Sequence, residues 1–320
     1  MVPPSRFAVA PMMDRTDRHF RRLFRAISKH ALLYTPMVPA HELLGPRAAS
    51  HLAHAAIEQP LALQLGGCDP QVLASAARVG ADAGMIEIDL NCGCPSPAAR
   101  EATWGAALMD SPQRVADAVA AMKAAVEIPV TVKHRLGIAG RDDAERLHAF
   151  VDLLAHAGCD RFVVHARAAV LGGLTPAQNR SVPPLRHADV VALARARPQL
   201  AFVLNGGLLD ADAVPRVLAD APQLHGVMVG RAAYDDPLAF AAIDRVLFDA
   251  DATDATLPSV VAALAEQVAE HVAIGGRAHA ITRHALGLVR ARPGARRWRA
   301  RIAELAHGGD AVAVLREAFA

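Results

Sequence analysis

Three neighbouring stretches decide the fold: MIEIDLN (Met85–Asn91), SPQRVADAVAAMKAAVE (Ser111–Glu127) and PVTVKHR (Pro129–Arg135). The first and last are short, apolar and flanked by Gly84 and Pro129, as strands are. The middle one opens on Ser-Pro and then repeats apolar residues at helical spacing. A strand, a helix and a second strand in that order form a crossover unit, and its two strands run parallel.

The same alternation extends in both directions. Upstream lie RFAVAPM (6–12), LLYTPMV (32–38) and LALQLGG (61–67); downstream lie RFVVHAR (161–167), LAFVLNGG (200–207) and GVMVGRA (226–232). A further helix, RDDAERLHAFVDLLAHAGC (141–159), carries a glycine where a helix C-cap belongs. Near-continuous apolar strands between helices imply a parallel sheet buried on both faces. Eight such units match a (β/α)8 TIM barrel better than a doubly wound sheet, and no G-x-G-x-x-G follows any strand.

After Asp249 no strand candidate remains. Three helical runs follow, over 257–275, 279–292 and 298–320, behind the linker DADATDATLPS (249–259). The expected plan is an α/β barrel over 1–248 and a small C-terminal all-helical domain over 249–320.

Composition narrows the class. The 320 residues are 53% hydrophobic and 21% charged, with a formal net charge of +2, so any basic surface has to be local. Four cysteines in a chain of this length do not make a disulfide scaffold. No apolar run reaches the roughly 18–20 residues that cross a bilayer, and the first residues lack a signal-peptide core. A soluble, cytoplasmic protein is expected, a monomer with no membrane attachment. Cys92-x-Cys94 without a second pair or a nearby histidine fails tetrahedral zinc spacing, so no metal is expected.

The strand ends carry the chemistry. In order they are Pro11-Met12, Met37, Gln64, Asn91 with Cys94, Lys133-His134-Arg135, His165 with Arg167, Asn205-Gly206-Gly207, and Gly230-Arg231. Barrel enzymes build their sites from these C-terminal strand ends, and the glycines after strands seven and eight occupy the usual phosphate position. Lys133 in a buried strand must pair with negative charge or lose its proton. It suits either a Schiff-base nucleophile or a cation facing an electron-rich ring. Cys94, just past the last strand residue, lies over the mouth, where a thiol can donate a proton or attack; Cys92 is expected to pack.

These residues, with APMMDRTDRHFRRLFRAISKHALLYTPMV, LQLGG, LNCGCPS, VKHRLGI, VHARAAVLGGLTPAQNRSVPPL and GVMVGRAAYDDP, resemble the flavin-dependent tRNA-dihydrouridine synthases. The bacterial A subfamily, which reduces uridines 20 and 20a of the tRNA D-loop, is the most similar. The resemblance implies FMN in the mouth. It places Pro11, Met12 and Met13 on the flavin by backbone, Gln64 on the ring, Lys133 at its pyrimidine end and His165 near the ribityl chain. Asn205, Gly206, Gly207, Gly230 and Arg231 hold the phosphate. It further implies NADPH as reductant, hydride to uracil C6, a proton from Cys94 to C5, and Asn91 positioning the base. A uracil would have to leave its stack to enter.

An RNA partner also suits the tail, where Arg277 to Arg301 holds eight arginines and no acidic residue. By the same resemblance Arg180, Arg296 and Arg299 orient the tRNA. The chain departs from the A-subfamily pattern at AAREA (98–102), and at Ala168 and Val170, where a lysine and a tryptophan are expected. Two other readings stay open on the residues alone: a Schiff-base aldolase on Lys133, and a non-catalytic RNA-binding barrel.

Overall fold

The computed structural model describes residues 3–97, 99, 104–290, 292–305 and 310–317. Eight strands close into a parallel barrel: β1 (Phe7–Val9), β2 (Leu32–Tyr34), β3 (Leu61–Gly66), β4 (Glu87–Cys92), β5 (Val130–Arg135), β6 (Arg161–His165), β7 (Phe202–Asn205) and β8 (Gly226–Val229). Each pairs with its neighbours in sequence, and β8 returns to β1 with Ala8 opposite Met228. Between β1 and β3, β2 aligns Leu33 with Val9 on one side and with Leu61 on the other. The second stretch is shorter than expected. It stops at Tyr34, and Val38–Pro39 pairs separately with the far end of β3. Pro36 lies in the break, where it has no N–H to donate to a ladder.

The helices start where side chains can cap them. Asp69 accepts from the amides of Gln71 and Val72 ahead of the helix Pro70–Asp82, and Asp143 accepts from Arg146 N ahead of Ala144–His156. Gly158, at φ +95°, closes the latter helix as the sequence suggests.

Period-two alternation gives each strand two different faces. Ile88, Leu90 and Cys92 of β4 join the large core between barrel and helices. The barrel interior has only a small apolar cluster of its own, Ala8, Ala10, Leu32, Tyr34, Ala62, Val163, Val203 and Met228. Polar side chains fill the rest. Deep in the barrel the Glu87 carboxylate accepts from Tyr34 Oη at 2.5 Å and Thr131 Oγ1 at 2.8 Å, and pairs with the buried guanidinium of Arg161.

Every described element of the C-terminal segment is a helix. Leu257–Ala273 is capped by Thr256; the run expected at 279–292 is a short α-helix, His279–Thr282, that tightens into 3-10 turns over Arg283–Val289. The last expected run is two helices, Ala295–Glu304 and Ala311–Glu317.

The tail is fastened to the loops after β1 and β8. Arg283 donates to Asp14 O at 2.9 Å and pairs with Asp17; His284 lies 3.0 Å from Asp17 Oδ1 and 3.1 Å from Tyr234 Oη. Gln267 Nε2 donates to His19 O at 3.2 Å. The arginine-bearing helix is held one layer further out by buried Trp298, whose indole N–H donates to Ala285 O.

Candidate active site

All eight strands point their C-terminal ends to one face, and most of the residues singled out in the sequence meet there. Across β3, β4 and β5 the register sets Gln64 beside Asp89 and Asn91 beside Lys133; across β6 and β7 it sets His165 beside Asn205. Lys133 Nζ donates to Asn205 Oδ1 at 3.0 Å, and Asn205 Nδ2 donates to Met228 O at 2.8 Å. Gln64 and Asn91 are joined by a 3.0 Å hydrogen bond.

Burial strongly tunes this ring. It lowers Lys133 to about 8 against the pull of Asp89, so the amine keeps most of its charge at neutrality while losing the reserve of an ordinary lysine. It raises Asp89 to about 7, although hydrogen bonding from Gln64 opposes it. His165 is driven to about 2 by burial and by the surrounding cations Lys133, Arg135, Arg167 and Arg231, so its ring is neutral. His165 Nδ1 is buried and has no partner among the described residues. Such an atom is costly unless something occupies it.

Cys94 stands on the turn after β4. Asn91 Oδ1 accepts the amide N–H of Gly93 and of Cys94, each at 3.1 Å; Arg135 Nε donates to Gly93 O at 2.9 Å; Ala106 N donates to Cys94 O at 2.8 Å. The thiol donates to Ser96 Oγ at 3.4 Å. Arg135 and Arg180 lie within electrostatic range of that sulfur. Cys92, two residues earlier, points the other way into the core, and burial raises its thiol well above the usual range.

On the opposite side, Gly206 and Gly207 have φ of +106° and +86°, and a Cβ on Gly207 would come within 2.7 Å of Leu185. Side chains are excluded there, and the backbone lies open beside His165. The turn after β1 brings half-buried Pro11 and Met12 alongside: Met12 N donates to Thr16 Oγ1 at 2.9 Å, and Met12 Sδ lies 3.7 Å from where a Cβ of Gly230 would be. Met13 is exposed. Arg231 donates to Arg180 O at 3.1 Å, tying the loop after β8 to the one after β6.

Some expected members lie elsewhere. His134 points outward, packed on Phe150 and Phe162, with Nδ1 donating to Arg135 O. Burial lowers it to about 4. Arg296 and Arg299 are exposed on Ala295–Glu304, outside the mouth. The AAREA departure falls almost wholly outside the described residues, of which only Ala99 is described. Ala168 and Val170 line a cavity of about 330 Å³ with Ala139, Val182, Pro183 and Pro184. Asp89 and Thr131 were missed, and Arg135 was noted only as part of a strand end. The polar residues at 87, 89 and 91, every second position of an otherwise apolar strand, were the available signal.

No group of three or more His, Cys, Asp or Glu among the described residues could hold a metal, and no described helix is long and apolar enough to cross a membrane. What remains is a TIM-barrel enzyme with a thiol poised over a polar, cationic mouth. The chain matches the family model for dihydrouridine synthase (Dus) over residues 8–320. It is 46% identical over 292 residues to the tRNA-dihydrouridine(20/20a) synthase of Synechocystis, covering 91% of this chain and 86% of that one. It is 47% identical to the protein of that name from Pseudomonas putida (93% and 88% covered), and 43% to that from Salmonella typhimurium (99% and 95%). The protein belongs to the dihydrouridine synthase family. That membership decides against the aldolase and the non-catalytic readings.

Proposed function

We propose that this protein reduces uridine to 5,6-dihydrouridine at positions 20 and 20a of the tRNA D-loop, in the cytoplasm and as a monomer, using FMN and NADPH. The observation that carries the reading is the thiol of Cys94, tethered by Asn91 and Arg135 over a mouth that holds a basic amine and a buried imidazole whose Nδ1 has no partner among the described residues. Relatives that share over two-fifths of the sequence bear the matching name.

The residues present fit FMN. Gly206 and Gly207, with Asn205, Gly230 and Arg231, offer backbone and cationic groups for its phosphate, and His165 Nδ1 has no partner among the described residues. Lys133 donates to Asn205 and has further protons to give, which suits the pyrimidine end of the ring. Gln64 and the backbone of Pro11, Met12 and Met13 border the same space. FMN, renewed by NADPH, would supply the hydride that adds to uracil C6.

The chain's own part is proton delivery and orientation. Cys94 holds a proton at Sγ and releases it to C5 as C6 gains hydride, so that the C5–C6 double bond becomes single. The sulfur is left as thiolate, which Arg135 and Arg180 stabilise until solvent restores the proton. Asn91 lies beside the thiol to orient the base. The segment from Asp249 onward acts as the tRNA-binding domain and residues 1–248 as the FMN domain, with Arg296 and Arg299 offering phosphate contacts.

Purified protein should carry a yellow flavin chromophore. Cys94→Ala should keep both the chromophore and its bleaching by NADPH while losing roughly 10²-fold or more of uridine reduction on tRNA. Unimpaired turnover by that variant would remove the acid role.

A further inference from the structure

Three side chains on β3 and β4 form a chain with one direction. Gln64 Nε2 donates to Asp89 Oδ2 at 2.7 Å, Asn91 Nδ2 donates to Gln64 Oε1 at 3.0 Å, and Asn91 Oδ1 then accepts the amides of Gly93 and Cys94 at 3.1 Å. Neither amide side chain has an intrinsic preference for which way its oxygen faces. Asp89 has one: as a carboxylate it can only accept, from Gln64 at Oδ2 and from Thr131 Oγ1 at Oδ1, 3.1 Å away. We infer that Asp89 is the positioning residue of this site: by accepting from Gln64 it locks the Gln64 and Asn91 amides in the orientation that ties the Cys94 turn to the end of β4.

The geometry leaves little alternative. Arg135 and Ala106 grip the carbonyls of Gly93 and Cys94, but the two N–H groups are held by Asn91 Oδ1. A flipped Asn91 would aim its own N–H bonds at them, and both hydrogen bonds would vanish. Asp89 touches neither the mouth nor solvent, being fully buried. Its hydrogen bonds reach the Cys94 turn through the two amides. The functional weight of this device rests on the reading of Cys94 as the acid; the device itself is tested without that reading.

Asp89→Val removes the acceptor, and Asp89→Asn keeps the shape but replaces a fixed acceptor by an amide that can present either end. In Asp89→Val, hydrogen exchange at the Gly93 and Cys94 amides should quicken about tenfold, with alkylation of Cys94 by iodoacetamide quickening alongside. Alkylation of Cys68, the other incompletely buried cysteine, should not change, which separates loosening of this turn from general destabilisation. Asp89→Asn, of the same shape, should quicken both as well, though by less, because its amide has no direction of its own. Should Asp89→Val fail to fold, Gln64→Met removes the middle link with an unbranched side chain and is expected to give the same two changes. Parent rates in any of these variants that folds would overturn the inference. Loss of dihydrouridine in Cys94→Ala is measured separately, so the acid role and the positioning chain can fail independently.

Discussion

The two ends of the barrel interior are built from the same residue types to opposite effect. At the N-terminal end, Glu87 meets Tyr34, Thr131 and Arg161, a carboxylate with three donors, one of them a cation. At the C-terminal end, Lys133 has a neutral amide for a partner and His165 Nδ1 has none among the described residues. Burying polar groups costs stability unless they are paired, so the first arrangement holds the barrel together and the second leaves valences for something else to fill. The difference marks which end binds and reacts.

The largest effect on stability should come from the paired end. Glu87→Leu strands the Arg161 charge in the interior, and urea unfolding should show a loss of about 3–5 kcal/mol. Lys133→Met, at the open end, removes a buried charge that one amide satisfies among the described residues. It should leave unfolding nearly unchanged while flavin retained per chain, read from visible absorbance, falls by roughly tenfold or more in affinity. If both variants destabilised alike, the contrast between the ends would be lost.

Smaller effects belong to the rim. Arg299→Ala should weaken tRNA binding and reduce the slope of log affinity against log salt by about 1, with NADPH oxidation untouched. The mildest concerns Asp17, which fastens the tail. Burial alone would raise its carboxyl, but His284, the Phe20 amide and Arg283 outweigh that and hold it well below the usual range. Its contribution is therefore present above the ordinary carboxylate value near 4 and fades as pH falls below it. Thermal unfolding of the parent should lose more than that of Asp17→Asn between about pH 6 and about pH 3.

Much of this was legible in the sequence because parallel strands repeat a simple signature. All eight strands, the closed order and the meeting of Gln64, Asn91, Lys133, His165 and Asn205 follow from apolar runs that end in polar residues. Side-chain direction was less legible. His134 stands between two residues that serve the mouth, yet alternation turns it into the helix layer. Asp89 was overlooked because the alternation of Glu87, Asp89 and Asn91 along the strand gives no sign of its partner twenty-five residues away. The tail's attachment rests on Asp17, Arg283 and His284, long-range contacts that no local pattern announces.

The most direct test maps dihydrouridine in tRNA from cells lacking this gene and any related synthase, complemented with the parent protein or with Cys94→Ala. Dihydrouridine at positions 20 and 20a should return with the parent and stay absent with Cys94→Ala. Its return with both, or with neither, would contradict the proposal that this thiol completes uridine reduction at the mouth of the barrel.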